Sequence, residues 1–161
     1  MTLSPTFSDP TAPKVHCTMT EHDMMIAGEM YRAADPQLVE MRLRARRLCR
    51  EFNTSTEAES DRRRSILRRL LGELGTNPEV EPDFRCDYGH NISAGDNLFI
   101  NFGCVILDCA RVRLGSRVFF GPGVHLYTAT HPIDPVERAS GREYAKPITI
   151  GNDVWLGGHA T

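Results

Sequence analysis

One histidine in this chain is a candidate for acid–base chemistry, although a lone loop histidine usually serves only as surface. His131 opens a polar stretch rich in turn formers, and Pro132 directly after it restrains the local backbone. An imidazole, with an unperturbed pKa near ~6.5, takes a proton from a hydroxyl at neutral pH and returns it to a leaving group. The single tryptophan, Trp155, lies among aliphatic and glycine residues but outside their apolar phase. A large aromatic so placed marks a contact face. The five cysteines, Cys17, Cys49, Cys86, Cys104 and Cys109, form neither a C-x-x-C pair nor a zinc-finger spacing. They read as reduced thiols of a cytoplasmic protein, with Cys104 packed as a small hydrophobe.

What positions these residues is a repeat. From Ile148 to Thr161 the aliphatic residues return every six positions, as Ile150 and Leu156 show. The same phase runs through Leu114, Phe120 and Leu126, and upstream through Ala94, Ile100 and Ile106, with two extra residues between Ile106 and Leu114. A period of six suits neither an amphipathic helix nor a hairpin ladder. It suits a coil that turns a corner after each short strand, with Gly or Asn/Asp at the bends. Three such sides make one turn of a parallel β-helix. Hexads starting at residues 94, 100, 106, 114, 120, 126, 150 and 156 give somewhat under three turns. Between Tyr127 and Pro147 the hexads stop, so 127–147 reads as a loop ejected from a corner, and His131 stands in it.

The chain before the repeats reads as helical. Residues 1–18 carry Pro5, Pro10 and Pro13 without periodicity and are expected to be disordered. Thr20 and Asp23 can cap a helix running to about Tyr31. Asp35-Pro36 starts a second, to about Phe52, with Leu38, Met41, Ala45, Leu48 and Phe52 on its apolar face. Thr56 to Glu59 is a capping box for a third, with Ile66, Leu67, Leu70, Leu71 and Leu74 apolar and Gly75 as its stop. Asn77 to Asp83 reads as a linker, which makes 19–80 a helical cap on a coil spanning 81–161. The arginines crowding both long helices read as solvated faces, since acidic residues are interspersed and the net charge is −2. That charge gives no bias toward nucleic acid or an anionic membrane, no apolar run approaches a bilayer span, and no secretory signal is visible.

From about Met25 onward the sequence resembles the maltose and galactoside O-acetyltransferases. The resemblance is carried by Ala27-Gly28-Glu29-Met30-Tyr31, Arg42-Leu43-Arg44-Ala45, Phe84-Arg85-Cys86-Asp87-Tyr88-Gly89, Asn101-Phe102, Thr130-His131-Pro132 and Pro147 to Gly157. It implies an α+β fold in which N-terminal helices precede a left-handed parallel β-helix of hexapeptide repeats, assembled as a homotrimer. It also implies acetyl transfer from acetyl-CoA to a sugar hydroxyl, without a metal.

On this resemblance His131 matches the catalytic histidine and Asn101 the asparagine at the reaction centre, whose neutral amide can donate to an oxyanion. Asp87 and Arg42 match acceptor-binding positions, with Asp108, Asp35 and Glu143 as further acceptor candidates. Asp35 has helix capping as its plainer role, and Asp108 a corner. An acceptor-contacting aspartate of the galactoside branch aligns near Ala33, a departure that bears on which sugar is used. Trp155, Gly157, Gly158 and Gly121 are expected beside the coenzyme. Two other readings stand next to this one. Some trimers of this fold bind zinc through three histidines and act as carbonic anhydrases, yet His125 and His131 are six apart and fall on successive sides of the coil. The chain also reads as C-terminally truncated, since relatives continue through further hexads; a non-catalytic fragment is therefore the second reading.

Overall fold

The computed structural model describes residues 19–161, so the expectation of disorder for residues 1–18 lies outside the described residues. Helix α1 (Glu21–Ala27) begins at the expected box: the Thr20 hydroxyl accepts from Asp23 N, and the Asp23 carboxylate accepts from Thr20 N. Gly28, at φ 79°, ends it before the expected Tyr31, and the chain enters a short strand, β1 (Tyr31–Arg32). Asp35 caps α2 (Pro36–Asn53) by accepting from Gln37 N and Leu38 N. The Thr56 and Glu59 box also forms, opening a 3-10 turn that leads into α3 (Ser60–Leu70). That helix stops well short of Gly75: Leu71 is extended, and Leu74 is already a strand residue.

The coil follows. Its first turn is β2 (Glu73–Leu74), β3 (Glu79–Val80) and β4 (Arg85–Cys86), and its second β5 (Ile92–Ala94), β6 (Phe99–Ile100) and β7 (Val105–Leu107). The third turn is β8 (Val112–Leu114), β9 (Phe119–Phe120) and β10 (His125–Tyr127). An arm of β11 (Ala129–Thr130), α4 (Pro135–Ala139) and β12 (Arg142–Ala145) then leaves the coil, which resumes with β13 (Ile148–Ile150) and β14 (Trp155–Leu156). Strands of successive turns pair in parallel, placing Leu74, Ala94 and Leu114 in register on one side, Val80, Ile100 and Phe120 on the next, and Cys86, Ile106 and Leu126 on the last. The coil therefore starts a full turn earlier than Ala94. The stretch 77–83, expected to be a linker, is a corner and a side of that turn, with Pro78 and Pro82 flanking β3 instead of interrupting it. The stretch 127–147 is an ordered hairpin arm and not an irregular loop.

One corner explains the bend chemistry. Asn77, Asn97, Arg117 and Asp153 stack there in successive turns, each with positive φ, between 51° and 61°. Asn and Asp tolerate that backbone because their short polar side chains satisfy it locally; Arg117 is the bulkier exception, and its Nη2 donates to Asp153 Oδ2 at 2.8 Å.

The interior is a column of buried aliphatics and Phe120, closed at one end by Phe52, Ile66, Leu67 and Leu70 of the helices. Most helix arginines do face solvent, but Arg63 lies 4.4 Å over the Phe52 ring and donates to Val80 O at 2.7 Å, so it belongs to the cap. A second buried cluster, including Met25, Tyr31, Leu38, Tyr88 and Ala145, joins α1, α2 and the arm to the coil. Among the described residues no helix is long and apolar enough to cross a membrane.

Candidate active site

The arm sets His131 by strand register. β11 pairs antiparallel with β12, Ala129 opposite Ala145 and Thr130 opposite Tyr144, so the next step of the ladder brings His131 beside Glu143. On its other edge β12 pairs with β1, Tyr31 opposite Glu143. Glu143 is thus held between two residues far apart in sequence. The Tyr31 hydroxyl donates to Glu143 Oε1, and Oε2 stands 3.7 Å from His131 Nε2. The imidazole is 56% exposed, whereas the carboxylate behind it is only 15% exposed. At that separation the contact is electrostatic and not a hydrogen bond. Burial pushes the Tyr31 phenol pKa well up, so it remains a donor. Glu143, expected among the acceptor contacts, stands behind His131. Tyr31 gave no signal as a functional residue, because a two-residue strand has no period and its partner is 112 residues away.

Beneath this pair lie Asp87 and the residues that brace it. Asp108 Oδ1 accepts from Asp87 N and Tyr88 N, at 3.1 and 2.8 Å, and fixes the turn after β4. Asp108 is fully buried, and burial pushes its pKa up to about 7. It therefore cannot reach an acceptor, which corrects the expectation for it. Cys109 Sγ lies 3.6 Å from Asp87 Oδ2. Burial raises the Asp87 pKa, against the pull of Cys109 and of the Arg42 charge. Arg42 donates from Nη1 to Tyr88 OH at 2.7 Å and from Nη2 to Ala33 O at 2.6 Å, which fixes its guanidinium over this floor. Asp35 caps α2 through Oδ1, the structural role expected for it beside an acceptor contact.

The remaining candidates gather elsewhere. Asn101, Gly121, Trp155 and Gly158 line an open groove of about 570 Å³ together with Phe99 and Phe119. Trp155 is 76% exposed, as expected of a residue outside the inward phase. Asn101 Oδ1 accepts from Phe102 N at 2.8 Å, leaving its amide hydrogens for another partner. A Cβ on Gly121 would fall 2.6 Å from Gly158 N, so only glycine lets the two turns stack at this wall. Gly157 adjoins Leu156 on the last strand and has open space around it. Asn101 occupies the corner between β6 and β7, whereas His131 leaves the corner between β10 and β13, the one after it around the coil. One chain therefore brings together His131, Glu143, Tyr31, Asp87 and Arg42, and separately Asn101, Trp155, Gly121 and Gly158. Among the described residues, no three His, Cys, Asp or Glu side chains converge on a space for a metal ion.

Known proteins share this fold and much of its sequence. A family model described as the maltose acetyltransferase hexapeptide capping motif matches residues 24–75. Nodulation protein L of Rhizobium meliloti is 43% identical over 89% of this chain and 78% of its own length. A maltose O-acetyltransferase structure from Clostridium difficile 630 superposes with a TM-score of 0.86 at 45% identity, over 88% of this chain and 75% of that one. A galactoside acetyltransferase solved in complex with coenzyme A superposes with a TM-score of 0.84 at 37% identity, over 88% and 71%. Fold, capping helices and sequence agree, and the chain belongs to the hexapeptide-repeat O-acetyltransferases of the maltose and galactoside type.

Proposed function

We propose that this protein transfers acetyl from acetyl-CoA to a hydroxyl of a sugar such as maltose or glucose, with His131 as general base. The observation that carries the reading is an exposed imidazole backed by an anchored carboxylate in a chain similar to a maltose O-acetyltransferase and to a galactoside acetyltransferase that binds coenzyme A. His131 takes the acceptor hydroxyl proton as oxygen attacks the thioester carbonyl, and Glu143 offsets the imidazolium charge. The C–O bond forms, the C–S bond breaks, and the proton passes to the departing thiolate. Asp87 and Arg42 hold sugar hydroxyls on the floor of the site. The groove along Trp155, Gly121, Gly157 and Gly158 takes the coenzyme arm, and Asn101 donates to the oxyanion.

Because Asn101 and His131 occupy different corners, a site using both needs two copies of the chain. A homotrimer satisfies this: each head-to-tail contact joins one corner to the other, and three of them close the ring. Cys49, Cys86, Cys104 and Cys109 are unbridged, in keeping with a reducing cytoplasm.

The acceptor class is tested by release of coenzyme A thiol on adding maltose, glucose or a galactoside to acetyl-CoA and enzyme; no acceleration by any sugar would overturn it. In the same assay Asp87→Ala is expected to raise the acceptor KM roughly 10–100-fold, the effect of ~1.5–3 kcal/mol for a hydrogen bond to a charged group. The acetyl-CoA KM should stay unchanged, and equal rises in both would show that donor and acceptor sides are inverted. Tyr31→Phe keeps the buried ring and removes the hydroxyl that fixes Glu143. It should lower kcat several-fold, with both KM values unmoved, and cost nothing further in a Glu143→Ala background. The same loss in both backgrounds would mean that Tyr31 matters only for packing.

A further inference from the structure

The sulfur atoms of Cys49 and Cys86 lie 3.7 Å apart, sharing a hydrogen bond and no disulfide. Cys49 projects from α2 and Cys86 from β4, two elements packed on each other. The residues are nearly buried, 6% and 7% exposed, yet both line a cleft of about 500 Å³ that also holds Arg46, Arg50 and Arg85. A small uncharged oxidant can reach them there. Neither thiol has a part in acetyl transfer.

We propose that Cys49 and Cys86 are a peroxide-sensitive dithiol that closes to a disulfide and ties α2 to β4. Cys49 is the attacking group. The hydrogen bond from Cys86 lowers its pKa against burial, and the charges of Arg85 and Arg50 add to the effect. Cys86 is pushed the other way by sharing its hydrogen with Cys49, by burial, and by Asp108 and Asp87. In the first step the Cys49 thiolate attacks one oxygen of hydrogen peroxide and the O–O bond breaks. This gives a sulfenic acid and a hydroxide that takes up the proton Cys49 released. In the second, the Cys86 sulfur attacks the Cys49 sulfur, the S–O bond breaks, and the Cys86 proton leaves with that oxygen as water. Two thiols lose two electrons and one peroxide becomes two waters. The sulfurs must close to ~2.05 Å, a movement divided between one helix and one strand.

Asp87 follows Cys86 directly and Arg42 lies on α2, so closure draws together the two elements to which acceptor binding is assigned. That consequence rests on the proposed function; the disulfide does not. The test is to treat the whole protein with hydrogen peroxide, denature it, alkylate remaining thiols with N-ethylmaleimide, and map peptides without reductant. A linked pair containing Cys49 and Cys86, about 2 Da lighter than its separate parts for the two hydrogens removed, is expected, and dithiothreitol should release it. Cys86→Ala should leave Cys49 as a sulfenic acid trapped by dimedone, and Cys49→Ala should leave Cys86 alkylated. Recovery of Cys49 and Cys86 alkylated in the peroxide-treated protein, or linkage of Cys49 to Cys17, Cys104 or Cys109 instead, overturns the proposal. An acceptor KM that changes at least threefold on oxidation, reverts with dithiothreitol and is constant in Cys49→Ala supports the coupling to acceptor binding. A disulfide with no change in that KM rejects the coupling alone.

Discussion

Replacing His131 by Ala is expected to lower turnover about 10²–10⁴-fold, the span that a positioned general base contributes. The fold should not respond. His131 is exposed, its only ionic contact among the described residues is with Glu143, and the arm is held by the β11–β12 and β1–β12 ladders, which need only its backbone. Thermal midpoint and oligomeric state should therefore match those of the unaltered protein while thiol release collapses. If the acetyl-CoA KM stays constant as kcat falls, the loss lies in the transition state and not in donor binding. Turnover within a factor of a few of the original would sink His131 as base and leave the carboxylate behind it unexplained.

Asn101→Ala should cost roughly 10²–10³-fold in kcat if its amide meets the oxyanion. Because this residue and His131 leave different corners of the coil, the two variants are expected to complement. Neither single variant should turn over well, but a mixture dissociated and reassembled should recover a fraction of the original rate. In mixed rings of the proposed trimer some contacts would pair an intact His131 with an intact Asn101 of the neighbouring copy. No recovery, with mixed oligomers shown to form, would confine the reaction to one chain and remove Asn101 from the site.

The coil was legible in the sequence where each side contributes a large aliphatic or aromatic residue, as at Ile100, Ile106, Leu114 and Phe120. It was lost in the first turn because Gly75, Pro78 and Pro82 mimic a linker, and because Cys86 is a weak apolar marker. The stacked left-handed corner overrides such local signals: even Arg117 accepts positive φ there. Within the site, His131 could be found because its neighbours are sequential. Glu143 was legible only as an acceptor candidate and Tyr31 as no site residue at all, since what joins them to each other is an antiparallel register between segments with no periodicity of their own. Asp108 shows the opposite failure. It was an acceptor candidate with a corner as its plainer role, and its complete burial shows that it ties the backbone beneath Asp87.

One further consequence follows from how the arm leaves the coil. Ser116 accepts from Asp96 20 residues before it in the preceding turn, and its own N–H donates to Asn152 36 residues after it in the following turn. The excess is the arm alone, and the stacking of β13 on β8 is indifferent to it. Insertions, deletions and substitutions between β11 and β12 can thus accumulate without shifting the phase of a single inward residue, so long as the short ladder to β1 survives. The surroundings of His131 can drift, or be redesigned by exchanging arms between relatives, on a segment whose tolerance to change is uncoupled from the stability of the coil that carries it.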